Sequence, residues 1–575
     1  MSPRTVGGGP LQGLDSVDWR GLEPIRPDRP TADIPKALRR IARADAATPR
    51  DTVEQAQGDL QMLLLKQGTI TDAATAALPF LVDLALDPDT VERPFLVDLL
   101  DVLAHNAGTG DTDTVDPGWG AAWQRQQPRM RTLFRDPDPE VRRSALQLIA
   151  DRTAALLERW PEETDPSVRV ALLLGLGEAA AADDPAGDTV ARVRSLLGGL
   201  LDGEDRVLRV AAVLAAVPLD PQALRRGLPV LLALLTDPAL APEFAKVWYE
   251  THCEYPFDRD DVVLKVMRLL EHDPQTAVPF AADLAAAGCR TGDAALRRCV
   301  FDGAWELLRH QPSTAAAVLP LAAGLLEDED DGVRYRAAHL LAVLGRRAAP
   351  YADRLAALLD DPGEAEFFDG TVGDHARWAL TRIGDPRALP DLVERLVAPY
   401  RDMQGRGYCL GDPRQPDVAD VLRPLRAHAE LLLPAVREAL RDEVARAGWL
   451  VRDLRDVLRE WGEDPLLPGE TDPYPQWEPQ PMEPAEAEAA VLAYAADGEF
   501  LGSFSAALAS FTARGRLDSR PVREALTALR AADRRLTAYG DYRAFLQDEE
   551  IRARIDTVLA LPQHPDAAGR DERSI

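Results

Sequence analysis

A short phrase recurs along the chain: an acidic or Asp-Pro turn, then Val-Arg, then small and aliphatic residues at helical spacing. It reads DPDPEVRRSALQLIA from Asp136, TDPSVRVALLLGLG from Thr164 and EDEDDGVRYRAAHLLAVLG from Glu327, and a worn copy reads DGTVGDHARWALTRIGDPRALPDLVERL from Asp369. Self-similarity at a spacing of roughly thirty to forty residues marks stacked helical hairpins, each too small to bury its own apolar face. The pattern predicts an all-α chain, an α-solenoid of stacked antiparallel helical hairpins. Such a fold is a surface for holding things and brings no chemistry of its own.

Stacking also removes the ceiling of roughly 250 to 300 residues on a single-core domain, which this chain of 575 residues exceeds. Charged residues make up 28% and the formal net charge is -29, a summed field that repels phosphate backbones and anionic membranes. Nucleic acid is thereby disfavoured as a partner and a basic protein or peptide favoured. Lys stands only at Lys36, Lys66, Lys246 and Lys265, so the cationic chemistry is that of Arg. Cys253, Cys289, Cys299 and Cys409 form no C-x-x-C pair and no zinc or disulfide spacing, which predicts reduced thiols. The N-terminus lacks the apolar core of a signal peptide, and no run approaches the ~18 apolar residues of a membrane span. A soluble, cytoplasmic protein with no membrane contact is expected.

Five segments follow from the punctuation. Residues 1–30 are rich in Gly and Pro and are expected to be irregular. Helical periodicity then runs over 31–462, beginning with IPKALRRIARA and VEQAQGDLQMLLLKQG. The Pro-rich stretch 463–484 reads as a linker, 485–561 as a C-terminal helical unit and 562–575 as a disordered tail. Asp138 and Asp165 are expected as N-caps with Pro139 and Pro166 in the first helical position. Gly384 is expected to close one helix in the left-handed region before Asp385-Pro386 opens the next. Three stretches interrupt the period, DTDTVDPGWGAAWQRQQP from Asp111, THCEYPFDRDD from Thr251 and APYRDMQGRGYCLGDPRQPD from Ala398, and are expected as edge insertions.

The tandem Asp-Pro, Val-Arg, small-residue, Leu and Gly pattern resembles HEAT repeats, in particular the HEAT-like repeats named from phycobilisome lyases. The opening LDSVDWRGLEP, DIPKALRRIA and KQGTITDAATAALPFLVDLALDP is similar to the start of a group of HEAT-repeat proteins from high-GC actinobacteria. In that group a His commonly precedes Gln-Gly-Thr; here the position is Lys66, which speaks against a shared chemical task for that His. The resemblance implies an armadillo-type, HEAT-like superhelix. It implies little about function, since HEAT proteins include adaptors, transport receptors, chromophore lyases, a metal-dependent hydroxylase and a DNA glycosylase. The hydroxylase draws iron ligands from His-Glu dipeptides, and no His of this chain is followed by Glu. The glycosylase needs a basic concave face, which the charge balance disfavours.

Two segments concentrate reactive and aromatic residues. WYETHCEYPFDRDD from Trp248 offers Trp248, Tyr249, Glu254 and Tyr255 as an aromatic and acidic partner patch, or else as a helix end with buried aromatics. Adjacent His252 and Cys253 diverge on a helix, so they make a poor metal pair. EAEFFDGTVGDHARW from Glu364 lengthens a turn that is elsewhere short. There Glu366, Phe367, Phe368, Asp369, Asp374 and Trp378 form either an exposed apolar anchor with an acidic rim or a cap folded onto the neighbouring hairpin. Arg142, Arg169 and Arg334 of the Val-Arg phrase are expected to bridge to acids of neighbouring turns as an architectural ladder. No H-E-x-x-H, G-x-S-x-G, Walker A or G-x-G-x-x-G occurs. No catalytic residue, cofactor or metal is expected. The chain reads as a non-catalytic scaffold that binds a protein or peptide partner on its concave face and edge insertions. The alternatives are a chromophore lyase-like or chaperone protein, as the resemblance implies, and an immunity protein against a basic toxin.

Overall fold

The structure is a computed structural model and describes residues 9–45, 47–110, 113–148, 152–247, 259–365, 368–401, 413–442, 448–467, 469–470 and 482–562. The described residues are helical, with isolated β-bridges only at Arg26/Arg29, Lys66/Thr69 and Ile70/Val115. They form an α-solenoid of stacked hairpins divided into two compact units, 1–262 and 263–575. The tail and most of the Pro-rich stretch lie outside the described residues.

In the first unit the helices start where short polar side chains take up free backbone N–H groups. Asp138 accepts from the Glu140 N–H at 2.9 Å, and Asp165 from those of Ser167 at 2.9 Å and Val168 at 3.2 Å. Asp205 repeats the device with the Leu208 N–H at 3.0 Å. The helix Pro166–Ala182 packs on Arg206–Ala216, and Gly177 permits the closeness, since a Cβ there would stand 2.0 Å from the Ala215 carbonyl oxygen. The N-terminal stretch has only short 3-10 turns, yet Leu14 and Trp19 are buried in the core of this unit, with the indole Nε1 donating to the Leu14 carbonyl at 2.9 Å. The interruption from Asp111 holds a full helix, Trp119–Met130. Trp119, Ala122 and Trp123 supply its i, i+3, i+4 stripe, the two indoles stacking at 5.5 Å.

The second unit stacks Ala294–His310, Asp331–Leu344, Val372–Ile383, Val418–Leu422 and Gly448–Trp461 in succession, backed by Pro274–Thr291, Ala315–Gly324, Leu392–Arg401 and Ala429–Arg441. Gly384 ends the Val372 helix at φ 86°, and Asp385 caps the following 3-10 turn. Four further helices follow: Pro484–Asp497, Leu501–Arg514, Arg520–Ala531 and Arg543–Leu559. They share a core around Val491, Phe504, Leu508, Leu526 and Ile555. Tyr542, Ala544 and Phe545 depart from it and join the core of the stacked repeats, with no exposed surface left.

The arginine ladder is present in both units. Arg142 grips Glu163 with Nε at 2.8 Å and Nη2 at 2.9 Å, while Nη1 reaches the carbonyls of Asp136 and Pro137. Arg334 copies it, with Nε 2.8 Å and Nη2 3.1 Å from Asp361, and Nη1 on the carbonyls of Asp328 and Glu329. Arg93 pairs with Asp136, Arg206 with Asp237 and Arg297 with Asp328 in the same sense. Burial pushes the Glu163 carboxyl up, but hydrogen bonds from Arg142 and Arg159 outweigh it and hold the group at about 2. Arg169 departs from the rule: its guanidinium lies over the Trp160 ring, 4.5 Å from the centroid.

Candidate partner-binding site

Of the residues singled out in the sequence, Trp248, Tyr249, Glu254, Tyr255, Glu366 and Phe367 lie outside the described residues. Phe368, Asp369, Asp374 and Trp378 are brought together at the start of the Val372 helix. Phe368 is half-buried, stacked on Tyr335 at 6.1 Å with Arg336 over its face at 5.1 Å. The Asp369 carbonyl accepts from the Tyr335 hydroxyl. Asp374 and Thr371 form a reciprocal capping box, which fixes where the helix begins. Trp378 is 2% exposed, and beside it a cavity of about 10 Å³ has room for one water.

Beneath these residues lies a contact that no sequence pattern announced. His339 and His375 face each other from stacked helices with Nδ1 to Nδ1 at 3.2 Å. One ring donates and the other accepts, so the accepting ring is neutral, and burial disfavours the charged form of the donor as well. Burial holds each at about 3, and Arg336 and Arg414 add to the effect at His339, as His339 does at His375. Among the described residues no group of three metal-ligating side chains occurs, so the pair stands as a hydrogen bond within the core. Trp305 and Trp378 flank His339 at 5.3 and 5.5 Å. Phe545 reaches Trp305 at 5.1 Å and Tyr542 reaches Trp378 at 5.3 Å, so the C-terminal segment closes the cluster.

That segment is held by polar contacts along its length. The Tyr542 hydroxyl donates to the Asp420 carboxylate at 2.7 Å and accepts from the Asp417 N–H at 2.8 Å. Arg414 pairs with Asp541 at 2.8 Å, Arg382 with Glu549 at 2.9 Å, and Ser313 donates to Asp533 through N and Oγ at 2.9 and 2.6 Å. Burial, then the neighbouring Asp417 and Asp420, pushes the Asp453 carboxyl up to about 6 on the adjoining helix.

Where the C-terminal helices diverge from the repeats they leave two clefts. The first, of about 1200 Å³, lies between residues 312–347 and 530–556; the second, of about 630 Å³, between residues 344–384, 420–428 and Glu549. Leu344, Arg347 and Glu549 line both, so the clefts adjoin, and together they are termed the groove. No local signal marked it in the sequence, because its two walls are separated by about as many residues as a whole domain contains.

Residues 318–406 match the model for HEAT repeats. No curated protein matches the chain. Among solved structures, importin beta aligns at 13% identity and TM-score 0.42, over 92% of this chain and 65% of that one. Kap121p bound to Pho4p aligns at 13% identity and TM-score 0.35, over 93% and 54%. The karyopherin Kap121p bound to the SUMO protease Ulp1p aligns at 13% identity and TM-score 0.33, over 87% and 47%. The chain thus spans about half the length of Kap121p. The matched residues hold the Asp331–Leu344 and Val372–Ile383 helices, the Arg334 rung of the ladder and the histidine pair. The HEAT-repeat pattern is thus shown for residues 318–406.

Proposed function

We propose that the protein is a non-catalytic scaffold that holds a protein or peptide partner in the groove of its second unit. The observation that carries this reading is the groove itself: a cleft of about 1200 Å³ beside one of about 630 Å³, walled by repeat helices on one side and by the C-terminal helices on the other. Walls whose acidic side chains are already paired or hydrogen-bonded need less ordering when a ligand binds. The net charge of -29 favours a basic partner over the surface at large. Within the groove the charges of the walls largely cancel, so net charge does not set the sign of a ligand there.

Ala316 and Ala553 are exposed on opposite walls of the first cleft, so Ala316→Trp with Ala553→Trp obstructs it without touching the core. Affinity capture from native cytosol is expected to enrich a partner with the parent chain and to lose it with the obstructed variant, with unchanged helical circular dichroism. An identical partner set for both proteins would overturn the reading.

A further inference from the structure

We propose that the groove takes an acidic peptide segment of its partner protein, the carboxylates of which meet Arg346 and Arg347. This deepens the reading of the groove as the partner site and rests on it. Every acid in the walls is already engaged. Asp533 accepts from Ser313, Asp548 from the Leu536 N–H at 2.8 Å and Arg552 at 2.9 Å, and Asp556 pairs with Arg530 at 2.7 Å. Glu549 is clasped by Arg382 and Asp420 by the Tyr542 hydroxyl. The cations are not all used. Arg346 and Arg347 follow one another in the 3-10 turn Gly345–Tyr351, both exposed, and neither forms an ion pair with a described residue. Arg347 reaches only the Pro312 carbonyl, at 3.5 Å. The groove therefore presents unspent positive charge inside a chain whose net charge is -29.

A guanidinium flanked by satisfied acids and an apolar wall is suited to a carboxylate, which it meets with two parallel N–H donors. The second cleft already holds one such pair within this chain, Arg382 receiving Glu549 at 2.9 Å. Leu319, Val343 and Leu344 add apolar lining next to Arg347. A ligand that alternates acidic and apolar side chains fits both chemistries. The long-range field of the chain opposes the approach of such a ligand while the local arginines retain it. Association should consequently speed up as ionic strength rises from about 0.01 to about 0.15 M, where the Debye length falls from about 30 to about 8 Å.

The test uses the full chain and fluorescein-labelled eight-residue peptides, one of glutamate and leucine, one of lysine and leucine and one of glutamine and leucine, read by anisotropy. The glutamate peptide is expected to bind tightest and to lose roughly tenfold or more in affinity with Arg346→Glu plus Arg347→Glu, while Arg346→Lys plus Arg347→Lys retains most of it. Both positions are exposed, and circular dichroism confirms that the variants fold. Equal binding of the glutamate peptide by parent and charge-reversed chains would overturn the proposal. Tighter binding of the lysine or glutamine peptide would overturn the acidic class while leaving the groove as the partner site. Binding of none of the three would remove the groove as a peptide site altogether.

Discussion

The histidine pair makes the stability of the second unit acid-sensitive in a way that can be worked out. Each ring titrates at about 3 in place and at about 6.5 in the unfolded chain. Between those values the unfolded state takes up protons that the folded state refuses. The stability from keeping both rings neutral is complete above about pH 6.5 and is lost as pH falls towards 3. From pH 7 to pH 5 the loss is about 1.9 kcal/mol per ring, or about 4 kcal/mol for the pair, at about 1.4 kcal/mol per unit. The figure depends almost wholly on the unfolded value, so long as the buried rings stay neutral at pH 5. Arg336 and Arg414 face His339 and reinforce its neutrality, while Asp541 opposes them; Asp374 and the Asp369 backbone oppose the shift at His375.

The perturbation is His339→Gln together with His375→Gln, which keeps an amide pair able to hydrogen-bond and removes both titrations. Urea unfolding followed by Trp fluorescence reads the transition, since Trp305 and Trp378 pack against His339. Asp453 and every other carboxylate titrate in both proteins and cancel in the difference. The gap between parent and variant should change by about 4 kcal/mol from pH 7 to pH 5, a relative midpoint shift of about 2 M at a slope of about 2 kcal/mol/M. Gaps at the two pH values that agree within about 1 kcal/mol would refute the assignment of two neutral, buried rings.

Other outcomes follow from single contacts. Glu163→Gln leaves the Arg142 and Arg159 guanidinium groups without their carboxylate at a position whose side chain is 1% exposed, and should cost about 3 kcal/mol in the first-unit urea transition. Gly177→Ala drives a methyl into the Ala215 carbonyl and should destabilise by about 3 kcal/mol or more, with faster amide exchange in both Pro166–Ala182 and Arg206–Ala216; an unchanged exchange pattern would show the contact to be yielding. Asp453 has its folded value raised to about 6, so its ionisation weakens the unit above that pH and the penalty fades as pH falls towards 4. Asp453→Asn should therefore stabilise by about 1 kcal/mol at pH 7.5, after discounting for solvent screening, and change nothing at pH 4 by thermal melting.

How far the sequence could be read depended on the range of the interaction. Caps and ladder lie within or between neighbouring hairpins, so Asp138, Asp165, Arg142 and Arg334 carry their structural tasks in the local phrase. The worn copy lost its arginine for a reason visible only in space: the equivalent Gly373 tucks its backbone N–H onto the Asp361 carbonyl at 3.0 Å, where a Cβ would crowd the Leu359 carbonyl at 2.7 Å. The Trp119–Met130 helix was hidden by Gly and Pro at its ends. His339 meets His375 only through the register of stacking, and Tyr542 meets Asp417 and Asp420 only because the chain returns across more than a hundred residues. The candidate groove inherits that difficulty, because half of its wall is made by the return.

The closure of the aromatic cluster by Tyr542 and Phe545 also sets a clock on biosynthesis. Trp378 emerges long before the residues that cover it, and the 167 positions to Phe545 take on the order of 10 to 30 s at about 5 to 20 residues/s. For that interval a nascent chain carries Trp305 and Trp378 without their lids, a greasy face open to holdases. A truncation that stops before Tyr542 would prolong that vulnerable state indefinitely.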